Sequence, residues 1–88
     1  MPLYSFKGIS PEIHKGVFVA PSADVIGKVI LEENASLWHQ SVARGDVNTI
    51  HVGKNTTVQD LTMLHVTKDF ALKIGDQVSI AHSVTLHG

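Results

Sequence analysis

Aliphatic residues recur at intervals of six along this chain, at Val19, Val25, Leu31, Leu37 and Ala43, then Val52, Val58 and Leu64, then Ile74, Ile80 and Leu86. The residue two before each is apolar or small: Val17, Ala23, Val29, Ala35, Ser41, Ile50, Thr56, Thr62, Leu72, Val78 and Val84. Residues two apart share one face of a strand, so each hexad supplies a short strand with two inward side chains. A period of six is too short for the alternating strands of a hairpin array and does not match the 3.6-residue period of a helix. Corners such as Gly53-Lys54-Asn55 and Gly75-Asp76-Gln77 contain residue types that tolerate positive φ. Three sides per turn then make a triangular prism of parallel strands. The predicted fold class is all-β, and Val, Ile and Thr, more than a quarter of the 88 residues, agree because branched Cβ atoms suit a pleated surface.

The repeat resembles the left-handed parallel β-helix of hexapeptide-repeat solenoids, an exception to the right-handed crossover rule. Residues 1–18 read as a lead-in that caps the first coil, and residues 19–88 as the β-helix, open at its C-terminal end. The period breaks twice, between Ala43 and Val52 and between Leu64 and Ile74. Both breaks are expected at corners, where they push out loops over Arg44–Thr49 and His65–Ala71, the positions at which solenoids carry binding function.

Composition narrows the partners. Seven Lys plus Arg against eight Asp plus Glu give a net charge of −1, so no electrostatic footprint for nucleic acid or an anionic membrane is present. Cysteine is absent, which excludes a disulfide framework and thiolate metal sites. No leader pattern opens the sequence and no window approaches about 18 apolar residues, so a cytoplasmic location is expected. A chain this short buries only roughly 60% of its unfolded surface, which favours a core or site shared with another copy.

Six His are present, several times the usual share, and imidazole is the commonest neutral metal ligand. His65 follows Leu64 and His87 follows Leu86, three hexads apart, so they stack one coil above the other at a spacing of about 4.8 Å. Two imidazoles at that spacing can converge on one ion. Arg44 occupies the same corner one coil away. The preceding corner holds Gln59 and Asp60 and, one coil on, His82, which should point away from the His65/His87 stack. If the prism packs as a cyclic trimer, His82 of one subunit can face His65 and His87 of the next. Three His and an open position describe a catalytic rather than a structural zinc site. His14, His39 and His51 lack a matching column and read as surface residues or hydrogen-bonded interface groups. Trp38 reads as outer-face or interface packing, and Arg44-Gly45-Asp46 as a structural ion pair rather than a cell-adhesion tripeptide.

With these residues in place, the stretches Arg44-Gly45-Asp46-Val47-Asn48, Val58-Gln59-Asp60, Leu64-His65-Val66 and Ile80-Ala81-His82-Ser83-Val84-Thr85-Leu86-His87-Gly88 resemble the γ-class carbonic anhydrase family, in its N-terminal half. The resemblance implies a homotrimer with zinc, or another divalent ion, at each subunit interface, held by His65 and His87 of one chain and His82 of its neighbour. It assigns Arg44 and Asp46 to a subunit-bridging ion pair, and Gln59 and Asp60 to polar groups beside the metal-bound water. Two departures stand out. Val47 follows Asp46, and Asp69 is the only carboxylate between His65 and Lys73, where the most active type carries acidic proton shuttles. Family members also continue into further coils and a C-terminal helix, so this chain reads as a truncated form without that helix.

The implied activity is zinc-dependent hydration of carbon dioxide to bicarbonate. The alternatives are a hexapeptide-repeat acyltransferase that uses one His as a general base on a coenzyme A thioester, and a non-catalytic metal-binding trimeric scaffold.

Overall fold

The computed structural model describes residues 2–88. Eleven strands follow one another without a helix among the described residues: β1 (Leu3–Tyr4), β2 (Glu12–Ile13), β3 (Phe18–Val19), β4 (Asp24–Leu31), β5 (Ser36–Leu37), β6 (Val42–Val52), β7 (Thr57–Val58), β8 (Met63–His65), β9 (Leu72–Ile74), β10 (Ser79–Ile80) and β11 (Thr85–His87). All strand pairs are parallel and together form a left-handed β-solenoid of about four turns. One face is the ladder β3-β5-β7-β10; a second runs β1-β4-β6-β8-β11; a third is β2 and β9 paired on the second halves of β4 and β6.

The inward columns are the hexad positions. Val19, Leu37, Val58 and Ile80 align on the first face, Val25, Ala43, Leu64 and Leu86 on the second, and Ile13, Leu31, Val52 and Ile74 on the third. All but Ile13 and Leu86 are buried, and those two pack against the core. Three polar side chains share the interior. Ser41 donates to Trp38 O at 2.6 Å, Thr56 to Gly75 O at 2.6 Å and Thr62 to Ala81 O at 2.9 Å, so each buried hydroxyl is satisfied by a corner carbonyl.

Two corners turn on stacked left-handed residues. Gly16, Asn34, Asn55 and Gln77 form one column and Gln40, Leu61 and Ser83 the other, with φ between 56° and 75°. The left-handed residues of the Gly53 and Gly75 corners are therefore Asn55 and Gln77. Just before the first column, Lys15, Glu33, Lys54 and Asp76 stack with alternating charge, an arrangement that favours this register. Trp38 lies on the outer surface against Phe18, ring centroids 4.9 Å apart, and donates its indole N–H to Ser36 Oγ at 3.1 Å.

At the third corner β4 and β6 run through as continuous strands. The expected loop over Arg44–Thr49 is instead a wide bulge in β6: Gly27 pairs with Gly45 and Val29 with Ile50, leaving Lys28 opposite Asp46–Thr49. Its backbone is satisfied locally. Val47 N–H donates to Asp46 Oδ1 and Thr49 N–H to Asn48 Oδ1, both at 2.8 Å, and these side-chain acceptors replace the missing ladder partners. The second interruption is a true loop after His65, and Asn48 Nδ2 ties the bulge to it by donating to Thr67 O at 3.3 Å and Lys68 O at 3.1 Å.

Candidate metal centre

The parallel ladder between β8 and β11 places His87 directly over His65. Their rings meet edge to face, with centroids 4.8 Å apart and planes at 86°, and His65 Nδ1 lies 3.0 Å from His87 Nε2. The outer nitrogen of each ring faces a group that only accepts. His65 Nε2 is 3.0 Å from Asp46 Oδ1, and His87 Nδ1 is 3.1 Å from Gly88 O. With the hydrogen on those two outer nitrogens, one of the tautomer pairs these contacts allow, the neutral rings would turn the lone pairs of His65 Nδ1 and His87 Nε2 toward each other. In that tautomer pair the two nitrogens are placed to face one cation, whereas a hydrogen on either of them makes the contact an N–H···N bond.

This donor set fits a divalent ion of the zinc type. Neighbouring donors of a tetrahedral site with metal–nitrogen bonds of 2.0–2.1 Å stand about 3.3 Å apart, a few tenths more than the separation seen here. A backing carboxylate such as Asp46 beside His65 is a usual outer partner of metal-bound His.

Asp46 opens the β6 bulge, and its carboxylate is mostly enclosed, as is the His65 side chain. Burial works to raise the Asp46 carboxyl, but hydrogen bonds from the Val47 N–H and the His65 ring outweigh it and hold the group below its ordinary value. Arg44 Nε lies 3.5 Å from Asp46 Oδ2 within the same chain, although nearly half of the Arg44 side chain is exposed.

His82 stands at the other corner. The first-face register continues through His39, Asp60 and His82, and Asp60 Oδ1 lies 3.3 Å from His82 Nδ1 in an exposed pair. Gln59 precedes Asp60, with its backbone N–H donating to Ile80 O at 3.1 Å. The structure thus brings together His65, His87, Asp46 and Arg44, and separately Gln59, Asp60 and His82. Among the described residues no three His, Asp or Glu side chains converge on one point.

Two relationships were not visible in the sequence reading. The sequence pairs Asp46 with Arg44, whereas in the fold Asp46, at the start of the β6 bulge, also meets His65. Glu32 lies between two His: His51 Nε2 donates to its Oε2 at 2.6 Å, and His14 Nδ1 lies 3.7 Å from its Oε1. The signal existed, since Ile13 stands eighteen residues before Leu31 and its strand brings His14 beside Glu32. The His51 hydrogen bond holds the Glu32 carboxyl below its ordinary 4.5; burial opposes this and the charge of His14 assists. A carboxyl lowered by folding stabilises the fold above the unfolded-state value, and that contribution is lost as the pH falls through the folded value. The stability difference between the native chain and His51→Ala is therefore expected to shrink as urea melts are taken below pH 4.5. A gap that stays constant across that range would sink the assignment.

No family profile matches the chain. Among curated proteins it is 47% identical over 85 residues to "Gamma carbonic anhydrase 2, mitochondrial" of Arabidopsis thaliana, covering 90% of this chain and 31% of that protein. It is 35% identical over 85 residues to the "Carbonic anhydrase" of Geobacillus kaustophilus, covering 97% of this chain and 47% of that one. Among solved structures, a hexapeptide transferase family protein from Anaplasma phagocytophilum superposes with a TM-score of 0.91 at 41% identity, over 97% of this chain and 49% of the other. The chain spans about a third to a half of the length of the curated relatives it matches. It thus has γ-carbonic-anhydrase-like homologues along nearly all of its length.

Proposed function

From this kinship and the paired imidazoles, we propose that the chain supplies half of a divalent-cation site that a second copy completes with its own His82, and that the assembled trimer hydrates carbon dioxide to bicarbonate. The observation that carries the reading is the approach of His65 Nδ1 and His87 Nε2 to 3.0 Å, with an acceptor oxygen beside the other nitrogen of each ring. When bound, a zinc-type ion supplies Lewis acidity and lowers the pKa of a coordinated water to about 7.

The remaining tasks fall to the chain. Asp46 and Gly88 O hold the two imidazoles ready; Asp60 steadies His82; Gln59, next to Asp60 in the chain, would orient a reacting water. Hydration releases one proton for each bicarbonate formed. Val47 offers no carboxylate to accept it, and Asp69 is the only acid in the loop after His65, so transfer to buffer is expected to limit turnover.

Stopped-flow hydration by zinc-reconstituted protein tests the reading. Activity should rise with pH between about 6 and about 9 and with imidazole buffer concentration. Full zinc occupancy with no hydration anywhere in that range would favour the scaffold. The likeness to a hexapeptide transferase family protein supports a second reading, acyl transfer from coenzyme A thioesters. Metal-independent release of free coenzyme A in the presence of an amine or alcohol acceptor would establish it.

A further inference from the structure

We infer that Asp46 is a positioning residue for His65, and that the β6 bulge exists to aim its carboxylate. This rests on the metal-site reading but goes beyond the Arg44–Asp46 pairing assigned from the sequence. A regular β6 would pair residue for residue with β4 beyond Gly45; the bulge leaves Asp46–Thr49 facing Lys28 alone. The freed backbone would be costly to leave unpaired, and the Asp46 carboxylate caps Val47 N–H at 2.8 Å with the same oxygen that faces His65 Nε2 at 3.0 Å. Its other oxygen faces Arg44 Nε at 3.5 Å. Held from three sides, the carboxylate has one orientation and presents His65 with an acceptor that cannot donate.

The consequence concerns which nitrogen is available. An isolated imidazole exchanges its hydrogen between two positions, and the wrong tautomer of His65 would direct an N–H at His87 Nε2. Asp46 selects the tautomer with hydrogen on Nε2 and so keeps Nδ1 bare toward His87. His65 would then hold an ion through Nδ1 and His87 through Nε2.

Nitrogen-15 NMR of selectively labelled, metal-free protein reads the tautomer directly, and a competition titration with a chromophoric chelator reads zinc affinity. The native chain is expected to show neutral His65 as the Nε2–H tautomer. Asp46→Ala should yield a tautomer mixture and a zinc affinity roughly 10- to 100-fold weaker. Asp46→Asn, which keeps an acceptor oxygen and the Val47 cap, should recover part of both and remains informative if the alanine variant fails to fold. Predominant Nδ1–H in the native chain, or zinc affinity within about threefold of native in a folded Asp46 variant while His65→Ala abolishes binding, would overturn the inference. If zinc binds neither the native chain nor any variant, the metal reading fails, while the tautomer measurement still decides the role of Asp46.

Discussion

Mixing His65→Ala/His87→Ala chains with His82→Ala chains is expected to restore zinc sites that neither variant forms alone. Each double-variant chain keeps the His82 corner, and each single-variant chain keeps the His65/His87 corner. In a cyclic trimer that contains both, one interface of three joins the two intact corners, so random exchange of equal amounts restores about a quarter of the sites. The basis is the separation seen in one chain, where Asp60 holds His82 at one corner while Asp46 and Gly88 hold His65 and His87 at another. Mass spectrometry of intact assemblies reports exchange, and zinc retained after chelation reports the sites. Demonstrated mixed trimers without recovered zinc would defeat the cross-subunit assignment, as would a zinc-loaded native monomer.

What could be read from the residue order follows from how each feature is encoded. The solenoid was legible because the interior demands one apolar column per face, and a period of six maps each of Val25, Ala43, Leu64 and Leu86 to the same column without reference to anything distant. The stacking of His65 and His87 came from the same arithmetic. The character of the interruptions did not. An insertion between Ala43 and Val52 has the same length whether it leaves the strand as a loop or stays within it as a bulge, and the choice depends on whether local acceptors can satisfy the freed N–H groups. Here Asp46 and Asn48 do so. Glu32 between His14 and His51 was hidden for another reason. The apolar alternation becomes evident only from Val17, although Ile13 lies on the same period of six, so β2 and the His that follows it precede the visible repeat.

The third corner carries the largest expected effect on folding, from Gly27→Ala. Gly27 has φ +73°, a conformation that costs an alanine roughly 1–2 kcal/mol by itself. A Cβ there would also stand 2.5 Å from the carbonyl oxygen of Gly45 and 3.1 Å from the Phe6 Cβ. The first contact is with backbone held in the β4–β6 ladder, where Gly27 and Gly45 are register partners, so no flexible side chain can move aside. Gly8 separates the two penalties, since it has φ +79° but open space around the position of a Cβ. Gly8→Ala is expected to cost about 1 kcal/mol, and Gly27→Ala on the order of 3 kcal/mol or more once overpacking is added. In a domain of this size that lowers the thermal midpoint by roughly 12 °C or more, compared at matched protein concentration because association also raises it. Equal losses in the two variants would show that the contact with Gly45 does not matter. A selectively large loss at Gly27 would place the constraint one residue before Asp46, at the point where displacement of the Gly45 carbonyl would turn the bulge and move the carboxylate away from His65.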